Sequence, residues 1–121
     1  MAREIVSVTL TFGGFHGGTE RRRVFFDGEE IRTEREFYNG SFDRGEILFD
    51  GVTRDIFLAQ FESLHIEEWD RAYNNENIDD GTQWDLEIEY SDGKSEEYWG
   101  NNAYPANFRE LLKLMEMIDE E

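Results

Sequence analysis

The chain has 121 residues, which suits one domain with a modest core. Its 29 acids against 12 Lys plus Arg give a formal net charge of −17, so electrostatic binding to free nucleic acid or to an anionic membrane surface is excluded and basic partners are favoured. With no cysteine there are no disulfides, thiolate metal sites or Cys nucleophiles, and cytoplasmic residence is expected.

Met1-Ala2-Arg3-Glu4 leads straight into an alternating segment and does not read as a signal peptide. No apolar run approaches the ~20 residues that span a bilayer. Aromatic residues make up 15% of the chain, which argues against disorder.

Val6, Val8, Leu10 and Phe12 alternate with Ser7, Thr9 and Thr11, the period of a half-buried strand. Gly13-Gly14-Phe15-His16-Gly17-Gly18 is then a loop. Arg21 to Phe26 reads as a second strand, and the Asp27-Gly28 turn returns the chain as a third over Glu29–Tyr38. A polar stretch from Asn39 to Gly45 precedes a short fourth strand, Glu46–Phe49. Thr53 caps a helix running to about Leu64, with Asp55 in its first turn and Ile56, Phe57, Gln60, Phe61 and Leu64 near one face. Between His65 and Asp80 the reading is a short helix followed by an Asn- and Asp-rich loop.

Trp84, Leu86, Ile88 and Tyr90 alternate with Asp85, Glu87 and Glu89. Ser91-Asp92-Gly93-Lys94 then turns the chain back along Ser95–Trp99, a hairpin. Two registers are open. A two-residue turn sets Trp99 opposite Leu86 and Glu96 opposite Glu89; a bulged turn shifts the partners by one and brings Tyr98 inward. Pro105 fits a first helical turn, and Phe108, Leu111, Leu112, Met115 and Ile118 recur at helical spacing, with Leu114 and Met117 widening the stripe. The predicted fold is α+β: an antiparallel sheet of about five to six strands with two main helices packed on one face, in a single domain over 1–121.

The charge is uneven. Residues 1–61 hold 11 acids and 8 bases, a net of −3, whereas residues 62–121 hold 18 acids and 4 bases, a net of −14. The candidate partner-binding residues are therefore Glu67, Glu68, Asp70, Asp79, Asp80, Asp85, Glu87, Glu89, Glu96 and Glu97. Same-side residues on a strand lie roughly 6.5–7 Å apart, so Asp85, Glu87 and Glu89 are spaced like successive phosphates of a nucleic-acid strand. Such a row costs stability, and a solvated face of an acidic protein is the competing reading.

Other chemistry is sparse. His16 and His65 match no metal motif, and the glycine-rich loop lacks a P-loop ending or a dinucleotide fingerprint. Arg21-Arg22-Arg23 reads as a strand-start cluster paired with nearby Glu. Asp79-Asp80-Gly81 does not align with a calcium loop. Trp69, Trp84, Tyr98 and Trp99 are core or core-edge residues, or aromatic anchors within a charged rim, and Phe15 is a further candidate anchor.

The alternation from Trp84 to Tyr90, Asp92-Gly93, and Gly100-Asn101-Asn102-Ala103-Tyr104-Pro105 resemble the C-terminal part of small uncharacterised bacterial domains. There a hairpin leads through a Gly-Asn-x-Tyr-Pro connection into a terminal helix. The likeness covers about the last third of the chain and implies a fold element without an activity. Size and charge are similar to phage-encoded inhibitors such as anti-CRISPR proteins and other nucleic-acid mimics, and equally to acidic immunity proteins. No catalytic, cofactor or metal residue is assigned. The expected function is non-enzymatic: the acidic half blocks a basic surface of a partner protein, a nucleic-acid-binding enzyme being the leading case. An immunity protein that neutralises a toxin, a housekeeping domain, and a carboxylate-based metal enzyme are the alternatives.

Overall fold

The computed structural model describes residues 4–14, 18–27, 30–38, 42–45, 53–74, 82–101 and 103–115. Among the described residues, seven strands, β1 (Ile5–Gly14), β2 (Gly18–Asp27), β3 (Glu30–Tyr38), β4 (Phe42–Gly45), β5 (Ala72–Asn74), β6 (Thr82–Tyr90) and β7 (Ser95–Asn101), form one sheet in the order β4-β3-β2-β1-β6-β7-β5. Helices α1 (Arg54–Glu62) and α2 (Phe108–Leu114) complete the α+β fold.

The sheet is mixed, which corrects the expected five to six antiparallel strands. β5 runs parallel to β7, with Ala72 beside Trp99 and Asn74 beside Asn101. The short helix expected in this region is a 3-10 helix over Ile66–Glu68; β5 follows it, and Trp99 N–H donates to the Arg71 carbonyl at 3.0 Å beside the new edge. The turn starts at His65, a non-glycine residue in the left-handed region (φ 51°).

β4 lies at Phe42–Gly45, within the stretch read from sequence as polar and irregular, and pairs with β3 from Tyr38 beside Phe42 to Arg35 beside Gly45. The expected strand at 46–49 falls outside the described residues, as do Ile118 and Met117.

One face of the sheet carries the core. Val8, Leu10, Val24, Trp84, Leu86, Ile88 and Tyr98 are buried, and the register aligns Val8 with Val24 and Ile88, and Leu86 with Tyr98. Helix α1 reaches this face through Phe57, whose ring lies 5.9 Å from Phe26; α2 reaches it through Phe108, 6.0 Å from Phe12 and 4.7 Å from Trp84. Val6 leaves the expected apolar row and is exposed, because the β1–β6 register shifts between Ile5 and Ser7.

Thr53 caps α1 as expected, its Oγ1 accepting from Ile56 N–H at 3.4 Å. Only Phe57 and Phe61 of that helix are buried; Ile56 is 44% exposed and Gln60 is exposed, so the apolar stripe is narrower than the sequence suggests. Pro105 precedes α2 instead of occupying its first turn, and Asn107 takes the cap position. Its side chain ties three segments together: Nδ2 donates to the Leu64 carbonyl at 2.7 Å, while Oδ1 accepts from Trp69 Nε1 at 2.9 Å.

Candidate functional site

The turn of the β6–β7 hairpin decides where its acids go. Gly93 has φ +84°, and Tyr90 N–H donates to the Lys94 carbonyl at 2.9 Å, closing a bulged turn that needs a left-handed residue. The bulged register follows: Leu86 opposes Tyr98, Ile88 opposes Glu96, and Glu87 opposes Glu97. Tyr98 is therefore a core residue, and Glu96 shares its side of the strand.

Glu96 is thereby removed from the row of acids it was grouped with. It pairs with Arg71 at 2.8 Å and accepts from the Tyr90 hydroxyl at 2.6 Å. Arg71 in turn lies 4.6 Å from the Tyr98 ring centroid. This carboxylate is engaged within the fold.

Asp85, Glu87, Glu89 and Glu97 share the other, outer face. Pairing across the sheet arranges that face in rows: Glu36, Arg21, Thr11, Asp85 and Trp99; then Glu34, Arg23, Thr9, Glu87 and Glu97; then Arg32, Phe25, Ser7, Glu89 and Ser95. Along the strands, an acidic column on β6, joined by Glu97 of β7, is separated from Arg21 and Arg23 of β2 by the short hydroxyl residues of β1. Ser7 and Thr9 are only 1% and 6% exposed, because longer neighbours flank them on both sides. Alternation also divides the arginine cluster. Arg21 and Arg23 lie on the outer face, whereas Arg22 points to the core side, pairs with Glu20 and donates to the Met115 carbonyl at 3.0 Å.

The neighbouring acids act on Asp85. Burial, and then the charges of Glu97 and Glu87, push the Asp85 carboxyl up to about 6; a hydrogen bond with Glu97 acts in the same direction and Arg21 opposes it. Two carboxyl groups share a hydrogen bond only when one holds a proton.

Asp85, Glu97 and Trp99 line an open cleft of about 620 Å³, completed by Thr11, Thr19, Gln83, Asn101 and the glycines Gly13 and Gly100. Trp99 is 44% exposed beside it. Gly100 is required here: a Cβ would lie 2.1 Å from Trp84 Nε1, which itself donates to the Ala103 carbonyl at 2.9 Å. That hydrogen bond and the Tyr104–Phe108 ring contact at 5.1 Å give the Gly-Asn-Asn-Ala-Tyr-Pro connection its structural role.

The remaining candidates lie elsewhere. Glu67, Glu68 and Asp70 are exposed on and after the 3-10 turn. Glu67 lies 3.1 Å from His65 Nδ1, and its carboxyl is held below the ordinary range by a backbone hydrogen bond and then by that ring. Asp79, Asp80, Phe15 and His16 fall outside the described residues. Of the aromatic candidates, Trp84 and Tyr98 are core and Trp69 is half-buried against both, at 6.0 and 6.2 Å. Among the described residues, no three His, Asp or Glu side chains form a metal-holding group, and no helix is long and apolar enough to cross a membrane. Sequence reasoning missed the cleft, whose lining comes from four strands. The exposed Trp99 in the bulged register was its one local signal.

Compared with protein-family models, curated proteins and solved structures, the chain matches none of them.

Proposed function

We propose that this protein is a non-enzymatic binding protein whose outer sheet face occupies a basic, nucleic-acid-binding surface of a partner protein. The observation that carries this reading is the alignment of Asp85, Glu87 and Glu89 on one strand, with Glu97 beside them, on the face away from the core. Same-side neighbours stand roughly 6.5–7 Å apart, so the carboxylates follow one another as phosphates do along a strand. Lys and Arg that hold phosphates would pair with them through charge-assisted hydrogen bonds.

The basic column of Arg21 and Arg23 sharpens the footprint. It repels the partner's cations from β2 and so directs them to β6 and β7, setting orientation more than affinity. Association is fast and weakens with salt, because exposed charges are screened beyond ~8 Å at physiological ionic strength.

The test is displacement. A partner captured on the immobilised protein and eluted by a DNA or RNA oligonucleotide is assayed for nucleic-acid binding with and without the protein. Competitive loss of nucleic-acid binding supports the reading. A complex that forms while the partner keeps its nucleic acid, or one insensitive to salt, refutes it.

A further inference from the structure

We infer that the cleft at the Trp99 end of the outer face is a receptor for one guanidinium group, the arginine side chain of a partner protein. This rests on the acidic-face reading for the identity of the partner and on the cleft itself for the chemistry. Three observations converge. First, the cleft is concave and holds about 620 Å³, ample for a side-chain head group. Second, Asp85 on β6 and Glu97 on the paired strand β7 both line it and bring two carboxyl groups to one side of the cleft. Third, Trp99 sits directly opposite Asp85 in the strand pairing and is 44% exposed, a π-face left open beside the carboxyl groups.

A guanidinium fits this set better than an ammonium. Its planar fork can donate to two carboxylates at once while its face stacks on an indole, and it is more weakly hydrated. Gln83, opposite Asn101 in the pairing of β6 and β7, adds an amide oxygen to the cleft as a further acceptor. The chain's own Arg21 does not fill this role. It lies two strands from Asp85 with Thr11 between them, and its charge is the weakest of the influences acting on that carboxyl. A bound cation favours the ionised Asp85 carboxyl, so affinity rises with pH through about 6, where Glu87, Glu97 and Arg21 are the charged groups acting on Asp85.

The experiment titrates the full chain with a short peptide that carries one arginine and no other charge, and with its lysine and citrulline counterparts, following the backbone amide resonances of the cleft residues Gln83 and Gly100. Saturable shifts are expected for the arginine peptide and none for citrulline. Asp85→Asn should weaken binding about tenfold, the loss of a charge-assisted hydrogen bond, and Trp99→Leu about threefold. Glu110→Gln, at an exposed position on α2, is the control and should bind as the unaltered chain does. Retained amide spectra show that the variants are folded. Equal shifts with citrulline, equal affinity for the lysine peptide, or an unchanged affinity in both cleft variants overturns the assignment. None of these readouts involves the partner, so the cleft can fail while displacement of nucleic acid succeeds, and the reverse.

Discussion

Along β6, Trp84, Leu86 and Ile88 are buried, whereas the intervening Asp85, Glu87 and Glu89 are half-buried on the other side. The first set lies in the core with Phe57 of α1 and Phe108 of α2 and is intolerant of a one-residue slip, since that slip would bury three carboxylates. The second set gains nothing from its own position: Glu87 faces Glu97 directly, and Asp85 is pushed towards protonation. Core packing therefore holds an acidic row in place that would otherwise disperse. The acids of the 3-10 turn differ again. Glu67 and Glu68 are exposed, and no comparable alignment orders them.

Breaking the buried side should cost most. Leu86→Ala removes a fully buried side chain (0% exposed) at the centre of the sheet and should destabilise by about 2–5 kcal/mol in denaturant melts. Gly100→Ala should cost about 1–3 kcal/mol, because the added Cβ meets the Trp84 indole while that ring is anchored to Ala103. Gly93→Ala should cost about 1–2 kcal/mol through the left-handed backbone alone, as nothing lies within 4 Å of the added carbon.

The outer side should respond in the opposite direction and least. The folded Asp85 carboxyl ionises near 6 against 3.8 for the ordinary group. The folded state thus holds its proton more tightly, and this site's stabilisation is present below pH 3.8 and lost as pH rises to about 6. Asp85→Asn should raise stability at neutral pH and flatten the pH profile in that window. A profile unchanged by the substitution would show that Asp85 is not the group responsible.

The hairpin was legible in the sequence because strict alternation and Asp92-Gly93 are local signals. Its register was not, since both turns satisfy the same pattern; the bulged turn at Gly93 sets Tyr98 opposite Leu86 and beside the Trp69 ring. The side of β7 on which Glu96 lies went with that register. β5 carries no alternation in Ala72-Tyr73-Asn74, and its pairing depends on β7, more than twenty residues away. The burial of Ser7 and Thr9 was hidden as well, because hydroxyl residues on a polar face are covered only by neighbours from other strands.

The most direct measurement compares two charge reversals in affinity for the captured partner. Glu87→Lys with Glu89→Lys alters the outer face, and Glu67→Lys with Glu68→Lys alters the 3-10 turn by the same charge. If the outer face makes the contact, the first pair weakens binding by at least about a hundredfold at low salt, and the second by about threefold or less. Equal losses, or a larger loss from the 3-10 turn, would contradict it.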